Sequence, residues 1–214
     1  MTSRPPPHHL PLTSLIEYCF PYRVPTVVGI DGIGGSGKST FAAALQRIDP
    51  TIVIVHTDDF YRGLNPATPP EDPTEVGVQI DWRRLVEQLL VPLNRDDPGR
   101  YQRFDWDTQS LAEWHDVPAN VLVLIEGVYA IRDDLTPYLD ASIWVETPAE
   151  ISTERGIARD GEASRDWWLD HWLADERRYA AGEGMPGMVT FVVDGTNGQE
   201  AYAQGLYARV RSLE

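Results

Sequence analysis

Residues 32–39, GIGGSGKS, have the residue types and the spacing of a loop that binds phosphate. They fit the pattern G-x-x-x-x-G-K-[ST], in which glycines allow successive backbone N–H groups to point toward one anion. A lysine at the seventh position brings a mobile positive charge to the outer phosphates, and the following serine hydroxyl can be a ligand for Mg²⁺. The pattern predicts a nucleoside triphosphate site formed by Gly32, Ile33, Gly34, Gly35, Ser36, Gly37, Lys38, Ser39 and Thr40.

Alternating apolar strands and helices have to position this loop. Strands are predicted at 24–30, 51–56, 121–125, 141–145 and 189–193, and helices at 13–20, 39–48, 82–93, 149–159, 166–181 and 199–213. Short, continuous apolar strands interleaved with helices indicate a parallel sheet that is covered on both faces. The expected fold is therefore α/β: a three-layer P-loop NTPase fold with a five-stranded parallel sheet and helices on both faces.

The order of these segments predicts a single domain. Residues 1–23 are expected to be a proline-rich tail, over 1–11, and a short helix, and residues 24–214 one domain. The irregular stretch at about 58–118 is expected to form an insert between the second and third strands.

Composition excludes several classes of protein. The formal net charge of −15 argues against extended contact with nucleic acid. No apolar run reaches the length of a membrane span, and the N-terminus lacks the apolar core of a signal peptide. Cys19 is the one cysteine, so no internal disulfide can form, and a cytoplasmic location is expected.

Acidic residues follow several of the predicted strands at the end where a parallel sheet binds its ligands. Glu126 ends the third strand in LIEG, as a single acid rather than the Asp-Glu pair of many motor ATPases. The chain has no N-K-x-D motif after the last predicted strand and no LSGGQ-like segment, which argues against a GTPase and a transporter ATPase. A small-molecule kinase remains the favoured class of phosphate-loop protein.

Four segments resemble the uridine kinase-like branch of P-loop kinases, which includes uridine–cytidine, nicotinamide riboside and pantothenate kinases and phosphoribulokinase. The segments are GIGGSGKST, HTDDFYR, LIEGVYA and ERGIARDGEASRD, and the resemblance extends from about residue 24 to about residue 198. It implies that Asp58 accepts the proton of the attacking hydroxyl, with Asp59 as the alternative if the register differs by one. It also implies that Glu126, with Ser39, holds Mg²⁺.

The resemblance further implies that residues 24–214 form a P-loop kinase domain with a lid at about 149–187. Arginines of this lid are expected to close on the transferring phosphoryl group. Arg155, Arg159 and Arg165 occupy the matching positions, and the planar guanidinium suits phosphate oxygens. Ion pairs with neighbouring acids are the alternative role for each of them. Asp194 and Gly195 lie where related kinases contact adenine, and a simple turn is the alternative there.

The acceptor site is expected in the insert. Asp81 matches an acid that binds ribose hydroxyls, although it could instead cap the next helix. In YQRFDWDTQS, which resembles the segment lining the family's base pocket, Phe104 and Trp106 match the aromatic positions, and Trp106 either stacks on a planar ring or packs against the insert. Tyr61 either contacts substrate or packs beneath the site. Gln109 replaces the family's base-reading histidine, which puts pyrimidine recognition in doubt.

Together these features predict ATP- and Mg²⁺-dependent phosphoryl transfer to a hydroxyl of a small metabolite, with a nucleoside or nucleoside-like acceptor favoured. The alternative is a nucleotide-dependent switch or accessory ATPase without such an acceptor. The expected partner is the small-molecule hydroxyl acceptor, without nucleic acid or membrane, and a homodimer is an open option.

Overall fold

The computed structural model describes residues 8–19, 24–63, 75–167, 169, 173–182 and 189–212. The strands within these ranges are β1 (His8–Pro11), β2 (Thr26–Asp31), β3 (Val53–His56), β4 (Gly99–Asp105), β5 (Ser110–Val117), β6 (Leu122–Glu126), β7 (Ala141–Glu146), β8 (Phe191–Asp194) and β9 (Leu206–Ser212). One sheet has the order β1-β9-β8-β7-β2-β6-β3, and β4 pairs with β5 in a separate hairpin.

The helices of the same ranges are α1 (Leu12–Cys19), α2 (Lys38–Ile48), α3 (Trp82–Leu85), α4 (Val91–Leu93), α5 (Ala149–Asp160), α6 (Arg165–Trp167), α7 (Leu173–Ala180) and α8 (Gly198–Ala203). A π-helical turn, Val86–Leu90, joins α3 to α4, and 3₁₀ turns cover Thr57–Phe60, Thr136–Tyr138 and Glu162–Ser164. Among the described helices, none has both the length and the apolar character that crossing a membrane requires.

The five central strands, β8-β7-β2-β6-β3, run parallel, as the sequence predicts. Val27 and Val28 are neighbours in β2 and point to opposite faces, yet both are fully buried. Val28 packs with α1, α2 and α8, and Val27 packs with the helical segment 82–93 and with α7. Both faces are therefore covered by helices, which confirms the three-layer α/β fold.

Two antiparallel strands extend the sheet at one edge, and here the sequence predictions are wrong. β1 pairs with β9 although residues 1–11 were expected to be a tail, and β9 pairs with β8 although a helix was expected over 199–213. The helix observed there, α8, ends at Ala203, and Tyr207 and Ala208 in β9 are buried. Pairing with the edge of β8 decides the conformation, because strand preference depends on neighbours rather than on local sequence alone.

The hairpin of β4 and β5 is a further element that the sequence analysis did not identify. β5 is mostly exposed, so its residues do not alternate between apolar and polar. Its charged side chains are paired across the strands, as in the hydrogen bond of 2.7 Å from Arg103 Nε to Glu113 Oε1. The period-two signal that reveals a half-buried strand is consequently missing.

Candidate active site

A cavity of about 610 Å³ lies at the C-terminal ends of the parallel strands. Its lining comes from the phosphate loop, from the ends of β3 and β6, from the β4–β5 hairpin, from α5 and α7, and from the turn after β8. The cavity therefore joins the loop that was predicted to bind phosphate to the insert and to the lid.

The phosphate loop is packed closely from several sides. Gly35 has φ +76°, and a Cβ there would lie 2.0 Å from the backbone oxygen of Ser152 in α5, so only glycine permits this approach. Thr147 Oγ1 donates a hydrogen bond of 2.9 Å to the carbonyl oxygen of Ser36. A Cβ on Gly195 would lie 2.1 Å from that same oxygen. The loop is thus held by α5 and by the ends of β7 and β8.

Lys38 begins α2 and is the cation of the loop. Its side chain is largely buried, and Nζ donates a hydrogen bond of 3.1 Å to the carbonyl oxygen of Ile33. The N-terminus of α2 adds positive potential at the same place. These features suit a bound polyphosphate.

Asp31 anchors the base of the loop, a role that the sequence analysis did not assign. Its carboxylate accepts hydrogen bonds from the N–H groups of Gly32 (2.6 Å), Tyr129 (3.1 Å) and Ile131 (3.0 Å), and from the Tyr179 hydroxyl (2.7 Å). Complete burial raises the pKa of Asp31 to about 6, although these hydrogen bonds oppose the shift. The acid before the loop, in GID, is the sequence signal, but its partners are distant in the chain.

Ser39 and Glu126 form a pair of oxygen donors beside the loop. Ser39 Oγ donates a hydrogen bond of 3.1 Å to Glu126 Oε1, and His56 Nδ1 lies 2.7 Å from Glu126 Oε2. Burial alone would raise the pKa of Glu126, but the hydrogen bond with His56 and the charge of Lys38 hold it below its usual value. A hydroxyl and an ionised carboxylate are hard oxygen ligands, so the donor set fits Mg²⁺.

His56 was not assigned a role from the sequence. The register of the sheet places it directly beside Glu126, at the ends of adjacent strands β3 and β6. The hydrogen bond with Glu126 raises the pKa of His56, which favours the protonated ring at this position. Sequence order alone does not give this register.

Asp58 follows β3 in the turn Thr57–Phe60, and it lines the cavity. Desolvation inside the cleft, together with the nearby Glu126 carboxylate, raises the pKa of Asp58. Asp59 is different, because its Oδ2 accepts a hydrogen bond of 2.9 Å from the Tyr101 hydroxyl in the hairpin. The structure therefore gives the two adjacent acids different surroundings.

Two of the three lid arginines line the cavity. Arg155 donates a hydrogen bond of 2.9 Å to the carbonyl oxygen of Gly195 and a second one to that of Thr196. Arg159 also faces the cavity and pairs with Asp160 at 2.7 Å. Arg165 lies in α6 and forms an exposed ion pair with Glu162, which is the alternative role given above for the lid arginines.

Aromatic side chains form the wall toward the insert. The rings of Tyr61 and Trp106 have centroids 4.3 Å apart, and both residues line the cavity. Trp106 is 44% exposed, so part of this residue remains accessible from the cavity or from solvent. Phe104 is buried and packs against both rings, which makes it a support rather than a contact.

Three predicted site residues make local hydrogen bonds. Asp81 caps α3, where its carboxylate accepts a hydrogen bond of 3.1 Å from the Arg84 N–H. Gln109 has φ 52° in the exposed hairpin turn, and its Nε2 donates a hydrogen bond of 2.7 Å to the Trp106 carbonyl oxygen. Asp194 Oδ1 accepts one of 2.8 Å from the Thr196 N–H. As far as the described residues define it, the cavity wall does not include these three side chains.

Other cavity residues were missed because no local pattern marks them. Gln79 and Tyr129 line the cavity, and Glu176 reaches the phosphate loop from α7. Each comes from a different part of the chain, and only the folded sheet brings them together.

Comparisons with known proteins identify the family. The model of the "Phosphoribulokinase / Uridine kinase family" matches residues 27–166. A uridine kinase from Schizosaccharomyces pombe (strain 972) is 29% identical over an alignment of 154 residues, which covers 65% of this chain and 33% of that protein. A uridine kinase from Proteus mirabilis (strain HI4320) is 31% identical over an alignment of 149 residues, which covers 63% of this chain and 68% of that protein.

The matches differ in how much of each protein they cover. The chain spans about a third of the length of the Schizosaccharomyces pombe relative. A solved structure described as a possible uridine kinase from Bacillus stearothermophilus superposes with a TM-score of 0.59 at 20% identity, over 80% of this chain and 91% of that chain, and it shows the likeness of fold alone. Because the family model covers more than half of the sequence, the chain belongs to the phosphoribulokinase / uridine kinase family.

Proposed function

We propose that this protein is an ATP- and Mg²⁺-dependent kinase that transfers the γ-phosphoryl group to a hydroxyl of a small metabolite, with a nucleoside or nucleoside-like acceptor favoured. One observation carries the proposal: the Asp58 carboxylate and the phosphate loop line the same cavity. A single cavity can then hold a triphosphate and an alcohol side by side, as in-line transfer requires. Family membership supports the same reaction class.

The residues have distinct roles in this mechanism. Asp58 accepts the proton of the attacking hydroxyl, and its raised pKa makes it a better proton acceptor than an ordinary aspartate. Lys38 and Arg159 neutralise the charge that spreads over the phosphate oxygens, while Arg155 orders the turn at Gly195 on the nucleotide side. Ser39 and Glu126 would hold Mg²⁺, which would supply positive charge to the phosphates when bound.

The walls of the cavity favour a planar, ring-bearing acceptor. Tyr61 and Trp106 offer aromatic faces on which a planar ring can stack, and Gln79 adds a polar side chain beside them. The similar uridine kinases named above support a nucleoside. Gln109 lies in the exposed hairpin turn, so any base recognition has to come from residues other than this one.

The test is ADP release in a coupled assay over nucleosides, vitamins and sugars, with wild type and two matched variants. Asp58→Asn should reduce acceptor-stimulated turnover by roughly 10²–10⁴-fold, the usual contribution of a general base, and leave the Kd for ATP unchanged. Asp59→Asn removes the same charge one residue away and should keep most of the turnover. ADP release that no acceptor stimulates would favour the switch or accessory ATPase, and equal effects of both variants would contradict the role of Asp58.

A further inference from the structure

A carboxylate from the lid occupies the phosphate loop. Glu176 in α7 accepts a hydrogen bond from the Gly34 N–H, with 2.8 Å between N and Oε2. The side chain is buried, and Glu176 lines the same cavity as Lys38 and Arg159. Gly34 is the third residue of the loop motif, so the contact lies within the loop itself.

In this hydrogen bond the Glu176 carboxylate accepts from the loop as a phosphate oxygen would. The loop amides form a nest for an anion. Burial raises the pKa of Glu176, whereas the charge of Lys38 and the hydrogen bond from Gly34 favour its ionised form. A carboxylate oxygen and a phosphate oxygen are both anionic acceptors, so they would compete for the single Gly34 N–H. An ionised carboxylate at the loop would also repel the negative charge of a phosphate.

α7 is attached to the loop at a second point. Tyr179 lies three residues after Glu176, hence on the same side of the helix, and its hydroxyl donates to Asp31 at the base of the loop. The Tyr179 ring is buried. α7 is thus bonded to two places: Glu176 to the third residue of the loop, and Tyr179 to the acid that precedes the loop.

We propose that Glu176 is an autoinhibitory latch: its carboxylate occupies the place of a phosphate oxygen, and a nucleotide has to displace it in order to bind. The proposal rests on the proposed function, since it assumes that the loop binds the phosphates of a nucleotide. It links nucleotide binding to the position of α7 and so to the lid.

Calorimetric titration of the full chain with MgATP tests the latch. Glu176→Gln keeps the shape and one acceptor oxygen but removes the charge, and it should lower the Kd for MgATP about tenfold. Glu176→Ala, which also removes the oxygen, should lower the Kd at least as much. Asp175→Asn is the matched control: it makes the same charge change on the same helix, at a side chain that pairs with Arg178 rather than with the loop, and should leave the Kd unchanged.

The outcomes separate the latch from the proposed function. If wild type binds MgATP and neither Glu176 variant binds it more tightly, the latch is refuted while the proposed function stands. If neither wild type nor the variants bind MgATP, both are refuted. Adenosine has no phosphate, so its affinity should not change in Glu176→Gln, and an equal gain for adenosine would show that the effect does not arise at the phosphate loop. Thermal unfolding of each variant confirms that it is folded.

Discussion

Replacing Gly35 by alanine should destabilise the protein more than the same change at Gly205, because the two glycines share a backbone conformation but not their surroundings. Gly35 has φ +76° and Gly205 has φ +73°. A Cβ on Gly35 would lie 2.0 Å from the backbone oxygen of Ser152, whereas a Cβ on Gly205 meets nothing within 4 Å. The pair therefore separates backbone strain from steric overlap.

The expected magnitudes follow from these distances. Alanine with a positive φ costs about 1–2 kcal/mol, and this applies to both variants. Ordinary van der Waals contact begins at 3.4 Å, so α5 has to retreat from Gly35→Ala by more than 1 Å. Overpacking of this kind costs a further 1–3 kcal/mol, roughly. We expect Gly205→Ala to lower the free energy of unfolding by about 1–2 kcal/mol and Gly35→Ala by about 2–5 kcal/mol.

Urea unfolding followed by far-UV circular dichroism measures this difference, with the same m-value required for all three proteins. Gly35→Ala should also weaken MgATP binding, because the retreat of α5 moves Arg155 away from Gly195. Gly205→Ala lies outside the cavity and should bind MgATP as wild type does. Equal destabilisation by the two substitutions would refute the close packing of α5 against the loop.

Three further results are expected. Glu126→Gln should raise the Mg²⁺ concentration needed for half-maximal turnover at least tenfold, because it removes the charged ligand, and an unchanged Mg²⁺ titration would exclude Glu126 as a ligand. Burial raises the pKa of Asp31 from 3.8 to about 6 in the folded protein, so the folded state binds this proton more tightly than the unfolded chain does. The stability should therefore fall by about 2 kcal/mol as the pH rises from 4 to 7. Urea midpoints between pH 4 and 7 should show that slope in wild type and a shallower one in Asp31→Asn, whatever the overall stability of the variant. Trp106→Ala should raise the KM for a ring-bearing acceptor and leave the KM for ATP unchanged, and a change confined to ATP would contradict its place on the acceptor side.

The sequence predicts the parallel part of the sheet because each of its strands is a continuous apolar run between helices. It also predicts the phosphate loop, whose residues are contiguous. The sequence does not predict β9, because Leu206–Ser212 forms a strand only by pairing with the edge of β8. It does not predict the β4–β5 hairpin either, because apolar and polar residues do not alternate along the exposed strand β5.

The same distinction between local and distant contacts applies to the site. Asp58 and Glu126 are predictable because they follow strands within recognisable segments. His56 joins Glu126 only through the register of β3 and β6, and Glu176 reaches Gly34 from 142 residues away. Asp81 shows the opposite case. Its segment resembles a substrate contact, but its carboxylate caps the adjacent helix α3.

The packing around Ser36 has a thermodynamic consequence. Thr147 and the close approach of Gly195 fix the position of the Ser36 carbonyl. A loop that is already ordered loses little backbone freedom when it receives an anion, so association should carry a small conformational entropy penalty. Order in this part of the protein comes from folding, and any structural change on binding should be confined to the side chains and helices that cover the loop.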